Sequence, residues 1–355
     1  MPGPLAWDKY DLSQETYVHN LTPEQIKECE ESMRAFKTSK KHLGYIAQET
    51  FPLPAFGPIL RQRSQEVHNV FGVLIVRGLV PAHYSPDEYI ILHAGISSWI
   101  GSKRGVQTGN ASDPEERYVI MHVTDLDVKE DRYIATANTA VSMPFHTDSG
   151  DIISLAYRQL SQTGGEIRVA SHWTVYNEML KKYPKVIETM KELYPWDMVG
   201  NIPDRAFHGL LHETVDSHGN RQITMMSERR PFVGDKKCPR LDCLPDLTLE
   251  QNYALDVIQE LAEDCSTSIS LEVGDILFIN NRAMFHARSS YVDHSRDPDL
   301  KRHVIRIVLR DAEYGWPIPE ALEHRYKAMF DITESPEDER WGVSAFIWNS
   351  GAQHG

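Results

Sequence analysis

Short apolar segments separated by turns dominate the C-terminal third of the chain. Residues 268–273, 276–279 and 304–309 are rich in β-branched and other apolar side chains, and Gly274-Asp275 predicts a turn between the first two segments. A similar run at 152–157 predicts a buried strand further upstream. This pattern is typical of an antiparallel barrel or jelly roll. We therefore predict a mainly β fold with flanking helices.

Amphipathic helices are predicted from three capping boxes, in which a Thr or Ser cap is followed three residues later by Gln or Glu. The cap and its partner are Thr22 with Gln25, Ser85 with Glu88, and Thr248 with Gln251. A fourth helix is expected after Ser171, and a further helix is expected to end at 65–71 after the Pro-rich connector 51–58. No chemistry is visible in these helices.

The domain organisation follows from the same pattern. About the first 70 residues are predicted to be helical and to pack on the barrel. No internal repeat or low-complexity linker divides the sequence, so we expect residues 1–355 to form a single domain.

The last predicted strand carries two arginines on one face. Period-2 alternation places Arg302, Val304, Arg306 and Val308 on one side and His303, Ile305, Ile307 and Leu309 on the other. If the apolar side packs on helices, the arginines point into the barrel, where a buried guanidinium requires a carboxylate partner. A bound dicarboxylate would provide that partner with two-pronged geometry. A solvated arginine face is the alternative.

Composition excludes several classes of function. The chain has 355 residues, of which 41% are hydrophobic and 25% charged, with a formal charge of −14. Such an acidic balance argues against broad binding to nucleic acid or to anionic membranes. No apolar run approaches the ~20 residues of a membrane span, and the first residues lack the features of a signal peptide. We therefore expect a cytoplasmic protein, with homo-oligomerisation as an open possibility.

The four cysteines are sparse and are expected to be reduced. Cys238 and Cys243 could form half of a zinc site, but no second Cys/His pair is spaced to complete it.

Candidate metal ligands lie at the start of the predicted barrel. His146 and Asp148 are two residues apart, and in a strand such residues point to the same face. With a distant histidine they would supply the 2-His-1-carboxylate facial triad of non-haem Fe(II) enzymes. His286 follows the predicted strand 276–279 and is the candidate third ligand, in competition with His122, His172, His294 and His303. The His-x-Asp triplet alone also fits a surface turn.

Four sequence motifs, in this order, make the chain resemble the taurine dioxygenase (TauD/TfdA-like) group of Fe(II)/2-oxoglutarate-dependent dioxygenases, related to clavaminate synthase. More narrowly, the chain resembles fungal members of that group. The motifs are PFHTDSGDI, GGEIRVAS with WTVYNE, GDILFINNRAMFHAR and KRHVIRIVLRD, and they span about residues 140 to 315.

The resemblance implies a double-stranded β-helix (jelly-roll) barrel that uses Fe(II), 2-oxoglutarate as cosubstrate, and O2. By this resemblance His146, Asp148 and His286 bind iron, Arg302 binds the distal carboxylate of 2-oxoglutarate, and Arg306 faces an anionic group of the substrate. One position departs from the pattern: relatives often carry Thr or Ser after the paired glycines, whereas Gly164-Gly165-Glu166 is followed by Ile167.

The implied reaction oxidises an unactivated C–H bond of a small, carboxylate-bearing molecule by hydroxylation, desaturation or ring closure. Arg282 and Arg288 are further candidates for contacts with a substrate anion, and Phe346, with Trp341 and Trp348, is a candidate to close the pocket. Related halogenases lack the carboxylate ligand, so Asp148 argues against halogenation.

Two other classes of function stay open. The same ligands could hold Zn2+ in a hydrolase, for which Glu166 is the nearby candidate base. The chain could also be a catalytically inactive metal-binding barrel. Consumption of 2-oxoglutarate distinguishes both from a dioxygenase.

Overall fold

Two β-sheets that share one apolar cluster form the centre of the structure. The computed structural model describes residues 1–8, 11–107, 118–126, 136–197, 207–216, 219–234, 239–295, 297, 300–331 and 335–343. The strands are β1 (Val18–Asn20), β2 (Val73–Arg77), β3 (Lys103–Gly105), β4 (Ile120–Val123), β5 (Met143–His146), β6 (Ile152–Gln159), β7 (Thr163–Gly164), β8 (Ile167–Ser171), β9 (Tyr194–Pro195), β10 (Phe207–His208), β11 (Leu211–Val215), β12 (Arg221–Met225), β13 (Thr267–Ile269), β14 (Ile276–Asn280), β15 (Met284–Arg288), β16 (Tyr291–Val292) and β17 (His303–Arg310).

Helices flank these sheets. The α-helices are α1 (Gln14–Tyr17), α2 (Pro23–Ser39), α3 (Phe56–Asn69), α4 (Pro86–Ser98), α5 (His172–Lys182), α6 (Pro184–Thr189), α7 (Arg230–Val233), α8 (Leu249–Cys265) and α9 (Glu323–Phe330). Single 3-10 turns lie at Leu43–Tyr45, Pro81–His83, Thr136–Asn138, Glu320–Leu322 and Pro336–Asp338. Within the described ranges, no helix is both long and apolar enough to cross a membrane.

The larger sheet has the strand order β1-β2-β14-β6-β17, and both β3 and β4 pair with the far edge of β17. The smaller sheet has the order β13-β8-β15-β5, and all of its pairs are antiparallel. The predicted mainly β jelly roll with flanking helices is confirmed. Among the described strands no ladder joins the two sheets, so the barrel consists of two packed sheets and does not form one closed hydrogen-bonded cylinder.

From Val304 onwards, strand β17 has the two faces that its alternation predicts. Arg302 precedes the strand, and a register shift separates His303 from Val304, so the predicted alternation does not extend to these two residues. Val304 and Val308 belong to the cluster shared with the smaller sheet, whereas Ile305, Ile307 and Leu309 pack with side chains of α2, α3 and α4. The last three side chains are at most 1% exposed. Burial of each such side chain contributes about 1.5–3 kcal/mol, so the arginine-bearing face of β17 is held towards the inside of the jelly roll.

The three predicted capping boxes are all present, at the starts of α2, α4 and α8. The predicted Pro-rich connector at 51–58 was too long, because α3 begins at Phe56, inside it. The Glu28 carboxylate on α2 accepts hydrogen bonds from the main-chain N–H groups of Ala55 and Phe56, at 2.7 and 3.1 Å. A residue from another helix therefore satisfies the start of α3, which local sequence could not indicate.

The predicted strand at 268–273 was too long. β13 ends at Ile269, and the chain then turns where the Asp275 carboxylate accepts a hydrogen bond from the Glu272 N–H at 2.7 Å. Ser171 caps α5 as predicted, because its hydroxyl accepts hydrogen bonds from the N–H groups of Trp173 and Thr174. α5 and α8 pack on the smaller sheet, where both helices contact β8.

Candidate metal centre and its surroundings

Two histidines face each other across an antiparallel strand pair. His146, the last residue of β5, and His286, the middle residue of β15, are direct register partners, and their ring centroids are 4.2 Å apart. Antiparallel register partners have side chains on the same face of a sheet. The pairing of the two strands therefore brings together two imidazoles that are 140 positions apart in sequence.

Asp148 completes a group of three potential ligands. Its Oδ1 lies 3.8 Å from His146 Nε2, and its Oδ2 lies 3.9 Å from His286 Nε2. One ligand atom from each residue lies within 4.8 Å of the others, a spacing that one metal ion could bridge after small side-chain adjustments. Within the described residues, this is the group of three that could hold a metal ion.

The predicted reason for the Asp148 position was wrong. β5 ends at His146, so Asp148 lies in the following turn and not on the same strand. The side-chain amide of Asn281 holds this turn: its Oδ1 accepts from the Asp148 N–H at 2.8 Å, and its Nδ2 donates to the Asp148 carbonyl and to the Gly150 carbonyl at 3.2 Å. Asn281 follows β14, so the larger sheet sets the place of the carboxylate.

The two histidines present ring nitrogens to the centre. His146 Nδ1 donates a hydrogen bond to the Pro144 carbonyl at 2.8 Å, which leaves the Nε2 lone pair directed at Asp148. Burial, reinforced by the nearby His146, lowers the pKa of His286 to about 3. Two imidazoles and one carboxylate match the donor set that Fe(II) takes in 2-His-1-carboxylate sites.

Arg306 lies against the candidate ligand carboxylate. Its Nη1 donates to Asp148 Oδ2 at 2.7 Å, and its Nε donates to Gln107 Oε1 at 2.8 Å. Gln107 in turn donates to the carbonyls of Val119 and Arg306 itself. The structure therefore places Arg306 in contact with Asp148 at the centre, and its predicted contact with a substrate anion stays a prediction.

Arg302 and Arg288 form a buried pair of cations beside the centre. They are 3% and 4% exposed, and within the described part of the chain neither guanidinium has a carboxylate partner. Arg288 donates to the carbonyls of Ala137, Thr139 and Val141, at 3.2, 2.7 and 2.5 Å. Burial, together with the charge of Arg302, lowers the pKa of Arg288 to about 10. Two adjacent buried cations that have no carboxylate within ion-pair distance among the described residues favour a bound anion, and we call this place the anion site.

Two tyrosines line this anion site. The Arg302 guanidinium carbon lies 5.7 Å from the ring centre of Tyr157 and 5.2 Å from that of Tyr291. Both hydroxyls are buried, and neither has a hydrogen-bond partner in the described residues. Gly165 stands close by: its φ is +78°, and a Cβ there would lie 3.5 Å from Arg302 Nε. The positive φ therefore requires glycine at this position, and the Arg302 contact alone does not.

Sequence reasoning missed two charged residues beside the centre, Glu228 and Arg325. Burial raises the pKa of the Glu228 carboxyl, whereas the nearby charges of Arg230, His146 and Arg325 oppose that rise. Burial lowers the pKa of Arg325, and the charges of Glu228 and Asp148 oppose that change. Both residues lie in segments without a recognised motif. Their charge is the only signal in the sequence that could have drawn attention to them.

Arg282 belongs to a buried structural network and was wrongly considered for a substrate contact. It donates to Asp151 Oδ1 at 3.3 Å and to Thr224 Oγ1 at 3.1 Å, while Tyr326 donates to the same Asp151 oxygen at 2.6 Å. Arg310 binds the other Asp151 oxygen. The guanidinium of Arg282 is therefore already satisfied by the protein.

The remaining predicted residues lie elsewhere. Phe346, Trp348 and Cys238 fall outside the described residues, and Cys243 is exposed. Trp341 donates to Glu339 at 3.1 Å and packs under Arg104. Glu166, the candidate base of the hydrolase alternative, is exposed and hydrogen-bonded to Ser289.

The fold and the centre together define a class: a jelly-roll protein with the 2-His-1-carboxylate group of non-haem Fe(II) oxygenases beside a buried anion site. Residues 38–308 match the model of the taurine catabolism dioxygenase TauD, TfdA family, so the chain belongs to that family. The sequence-based recognition and the predicted class of enzyme, an Fe(II)- and 2-oxoglutarate-dependent dioxygenase, are confirmed.

Individual relatives agree with this assignment. The chain is 35% identical over 351 residues to the taurine hydroxylase-like protein SAT17 of Stachybotrys chartarum, which covers 97% of this chain and 87% of the relative. A solved structure of asparagine oxygenase with Fe(II), 2S,3S-3-hydroxyasparagine and succinate is similar with a TM-score of 0.60 and 14% identity, covering 84% of this chain and 98% of the other. A solved structure of a variant of the non-heme iron oxygenase OrfP with (3S)-hydroxy-L-Arg is similar with a TM-score of 0.59 and 13% identity. The match covers 91% of this chain and 99% of the other.

Proposed function

We propose that this chain uses His146, Asp148 and His286 to bind Fe(II) and Arg302 to bind 2-oxoglutarate, and that it oxidises an unactivated C–H bond of a small, carboxylate-bearing molecule. Membership of the dioxygenase family supports the reaction type. The arrangement of the three ligand atoms within 4.8 Å supports the metal ligands.

The buried pair Arg302 and Arg288 is the single observation that carries the cosubstrate assignment. Two desolvated guanidiniums destabilise the protein unless an anion joins them. Arg302 Nη1 is buried and has no hydrogen-bond partner in the described residues, so it is available to a ligand. A dicarboxylate fits, because one carboxylate can meet Arg302 while the other end reaches the iron.

The tyrosine hydroxyls fit the same ligand. Relatives often supply a Thr or Ser hydroxyl after the paired glycines, and here Ile167 follows Glu166. The Tyr157 and Tyr291 rings both lie close to the Arg302 guanidinium, and their hydroxyls, which have no partner in the described residues, can donate to a carboxylate instead. We infer that they replace the missing hydroxyl contact.

The chain's own residues orient the reactants. When bound, Fe(II) activates O2 at the expense of 2-oxoglutarate, which leaves as succinate and CO2 while the substrate is oxidised. His146 and His286 offer neutral nitrogens, and the Pro144 carbonyl fixes the His146 ring. Arg306 holds one oxygen of Asp148, so that the carboxylate keeps a single orientation, and the apolar cluster around the centre limits the entry of water.

The finer parts of the reaction are proposals that differ in how the substrate is held. Hydroxylation, desaturation and oxidative cyclisation all begin with removal of the same hydrogen. We also propose that Arg306 contacts an anionic group of the substrate and that Phe346 closes the pocket. Arg306 can exchange its bond to Asp148 for a substrate contact once a metal neutralises that carboxylate.

The two alternatives receive less support. A zinc hydrolase would need a base beside the metal, and Glu166 is exposed and hydrogen-bonded to Ser289. In an inactive barrel, the two buried arginines would cost desolvation energy with no ligand to offset it, since the described residues place no carboxylate within ion-pair distance of them. They lie beside a complete ligand set, which favours a functional site.

An anaerobic absorption titration tests the proposal. Fe(II) and then 2-oxoglutarate are added to the apo protein, and the weak visible charge-transfer band of the iron chelate is recorded. The proposal requires a band in the wild type, no band in His146→Ala, and a band that needs much more 2-oxoglutarate in Arg302→Ala. A wild type that binds Zn2+ tightly but gives no band would overturn it.

Three further expectations accompany this function. We propose that residues 1–355 act as one catalytic domain in the cytoplasm. Self-association into a homo-oligomer is a prediction that light scattering after size-exclusion chromatography would test.

A further inference from the structure

The segment of residues 136–141, which leads into β5, is held by a residue of the anion site. Arg288 uses both of its η nitrogens for this contact. Nη1 donates to the Ala137 carbonyl at 3.2 Å, and Nη2 donates to the carbonyls of Thr139 and Val141 at 2.7 and 2.5 Å. Because every acceptor is a main-chain atom, the contact fixes the path of the chain itself.

A second residue of the anion site holds the same segment. The Tyr291 N–H donates to the Ala140 carbonyl at 3.0 Å, and the Tyr291 ring centre lies 5.0 Å from the guanidinium carbon of Arg288. The same ring centre lies 5.2 Å from the guanidinium carbon of Arg302. The segment 136–141 therefore rests on residues that line the proposed binding place of the 2-oxoglutarate carboxylate.

Arg288 keeps one donor that the segment does not use. Its Nε is buried and makes no hydrogen bond within the described residues, and the same holds for Arg302 Nη1 and for the hydroxyls of Tyr157 and Tyr291. A buried donor without an acceptor destabilises the folded protein. A carboxylate is an acceptor with about four lone-pair positions, so one bound carboxylate can serve several of these donors at once.

Resting on the proposed function, we propose that Arg288 binds the distal carboxylate of 2-oxoglutarate through Nε while its η nitrogens hold segment 136–141, so that cosubstrate binding stabilises this segment. The segment continues into β5, which ends at the candidate ligand His146. An occupied anion site therefore also steadies the strand that carries a metal ligand. Arg302 binds the cosubstrate, and Arg288 in addition transmits its presence to the neighbouring chain.

A residue outside the anion site also holds the segment. The side-chain amide of Asn138 donates to the carbonyls of His122 and Thr124, on and directly after β4, at 2.9 and 3.3 Å. Coupling between two places is reciprocal. If the carboxylate stabilises the segment, loosening the segment at Asn138 must weaken binding of the carboxylate, although Asn138 is not expected to touch the ligand.

A purely structural role of Arg288 gives a different expectation. If Arg288 only braced the segment, its removal would loosen residues 136–141 equally with and without a bound carboxylate. A coupling residue makes the wild-type segment respond to the ligand, and its removal abolishes that response. The decisive quantity is therefore the change that a ligand causes in this segment, compared between the wild type and the variant.

The test measures hydrogen exchange of the Fe(II)-loaded protein under anaerobic conditions, alone, with 2-oxoglutarate, and with glutarate. Glutarate has the same carbon chain and both carboxylates but lacks the keto oxygen that chelates iron. The readouts are the exchange of the peptide covering residues 136–141 and of the Tyr291 amide. The 2-oxoglutarate dissociation constant is taken from the visible chelate band.

Two variants are each compared with a matched control. Arg288→Met is compared with Arg240→Met, because Arg240 also holds main-chain carbonyls with its η nitrogens, at Leu244 and Pro245. Asn138→Ala is compared with Asn252→Ala, because the Asn252 amide likewise donates to two carbonyls, at the start of α8.

The inference requires both dicarboxylates to slow exchange of the wild-type segment by about 5-fold or more. Arg288→Met should exchange faster without ligand, show no slowing with ligand, and bind 2-oxoglutarate more weakly. Asn138→Ala should raise the 2-oxoglutarate dissociation constant by about 5-fold or more, and both controls should behave like the wild type.

Three results would overturn the inference. These are unchanged exchange of the wild-type segment at saturating 2-oxoglutarate, full slowing by ligand in Arg288→Met, and wild-type affinity in Asn138→Ala. The wild-type exchange experiment and Asn138→Ala decide the question even if Arg288→Met does not fold.

The two proposals fail in different ways. If the wild type gives no chelate band with 2-oxoglutarate, the proposed function falls, and the coupling inference falls with it. If the band forms but exchange of segment 136–141 is the same with and without ligand, the dioxygenase assignment stands and the coupling through Arg288 alone is wrong.

Discussion

The Asn281 side chain hydrogen-bonds to both the main-chain N–H and the main-chain carbonyl of Asp148. Asn281 lies at the end of a strand of the larger sheet, whereas His146 and His286 lie on the smaller one. This amide therefore fixes the candidate iron carboxylate relative to the two histidines. Asn281 would therefore influence metal binding by positioning the Asp148 main chain, without being a ligand itself.

We predict that Asn281→Ala weakens Fe(II) binding by about 10- to 100-fold, the usual effect of removing a group that orients a metal ligand. Anaerobic titration of the apo protein with Fe(II) gives the affinity. Asn280→Ala is the matched control, because this neighbouring amide makes no hydrogen bond to the Asp148 turn: it donates to the carbonyls of Val67 and His68 and accepts from the Arg282 N–H. Equal Fe(II) affinities in wild type and Asn281→Ala would show that the turn at Asp148 keeps its conformation without the Asn281 side chain.

Arg302 should set the affinity for 2-oxoglutarate. Loss of one partner of a buried charge pair costs about 2 kcal/mol or more, so Arg302→Met should raise the 2-oxoglutarate dissociation constant by at least about 30-fold. Arg302→Lys keeps the charge but loses the forked geometry and should recover only part of the affinity. The chelate band measures both. Arg229→Met, which breaks an exposed ion pair with Asp256, is the control; the prediction fails if Arg302→Met binds 2-oxoglutarate like this control.

The hydroxyls of Tyr157 and Tyr291 should contribute smaller amounts. A hydrogen bond to a charged group is worth about 1.5–3 kcal/mol at most, so the double variant Tyr157→Phe/Tyr291→Phe should bind 2-oxoglutarate about 10-fold or more weakly while Fe(II) affinity stays the same. Tyr194→Phe removes another buried hydroxyl that has no partner in the described residues and serves as the control. Unchanged 2-oxoglutarate affinity in the double variant would remove the tyrosines from the anion site.

Stability should fall as the pH becomes acidic, in part because of His93. Burial lowers the pKa of His93 from 6.5 to about 3, and its Nε2 pairs with Ser154 Oγ at 2.8 Å. Below pH 6.5 His93 is protonated in the unfolded chain but stays neutral in the folded chain. The contribution of His93 to stability is therefore complete above that pH and is lost as the pH falls towards 3.

The slope from one such site is about 1.4 kcal/mol per pH unit. Urea unfolding of His93→Gln between pH 6 and pH 4 should therefore show a shallower loss of unfolding free energy than the wild type, by about that slope. His83→Gln replaces an exposed histidine and should leave the slope unchanged. Parallel curves for wild type and His93→Gln would contradict the prediction.

Local sequence was sufficient for features whose causes are local. The capping boxes at Thr22, Ser85 and Thr248 were predicted correctly because the cap and its partner are three residues apart. The two faces of β17 were predicted correctly because alternation is intrinsic to a strand. Prediction failed where the cause was distant, as for the start of α3, which Glu28 of α2 completes.

The candidate site divides in the same way. The sequence, through its residue types and its family motifs, was sufficient to name His146, Asp148 and His286 as candidate ligands and Arg302 as the candidate contact for 2-oxoglutarate. Only the tertiary structure decided how they meet. Strand register brings the histidines together, and Asn281, which follows a strand of the other sheet, places the carboxylate.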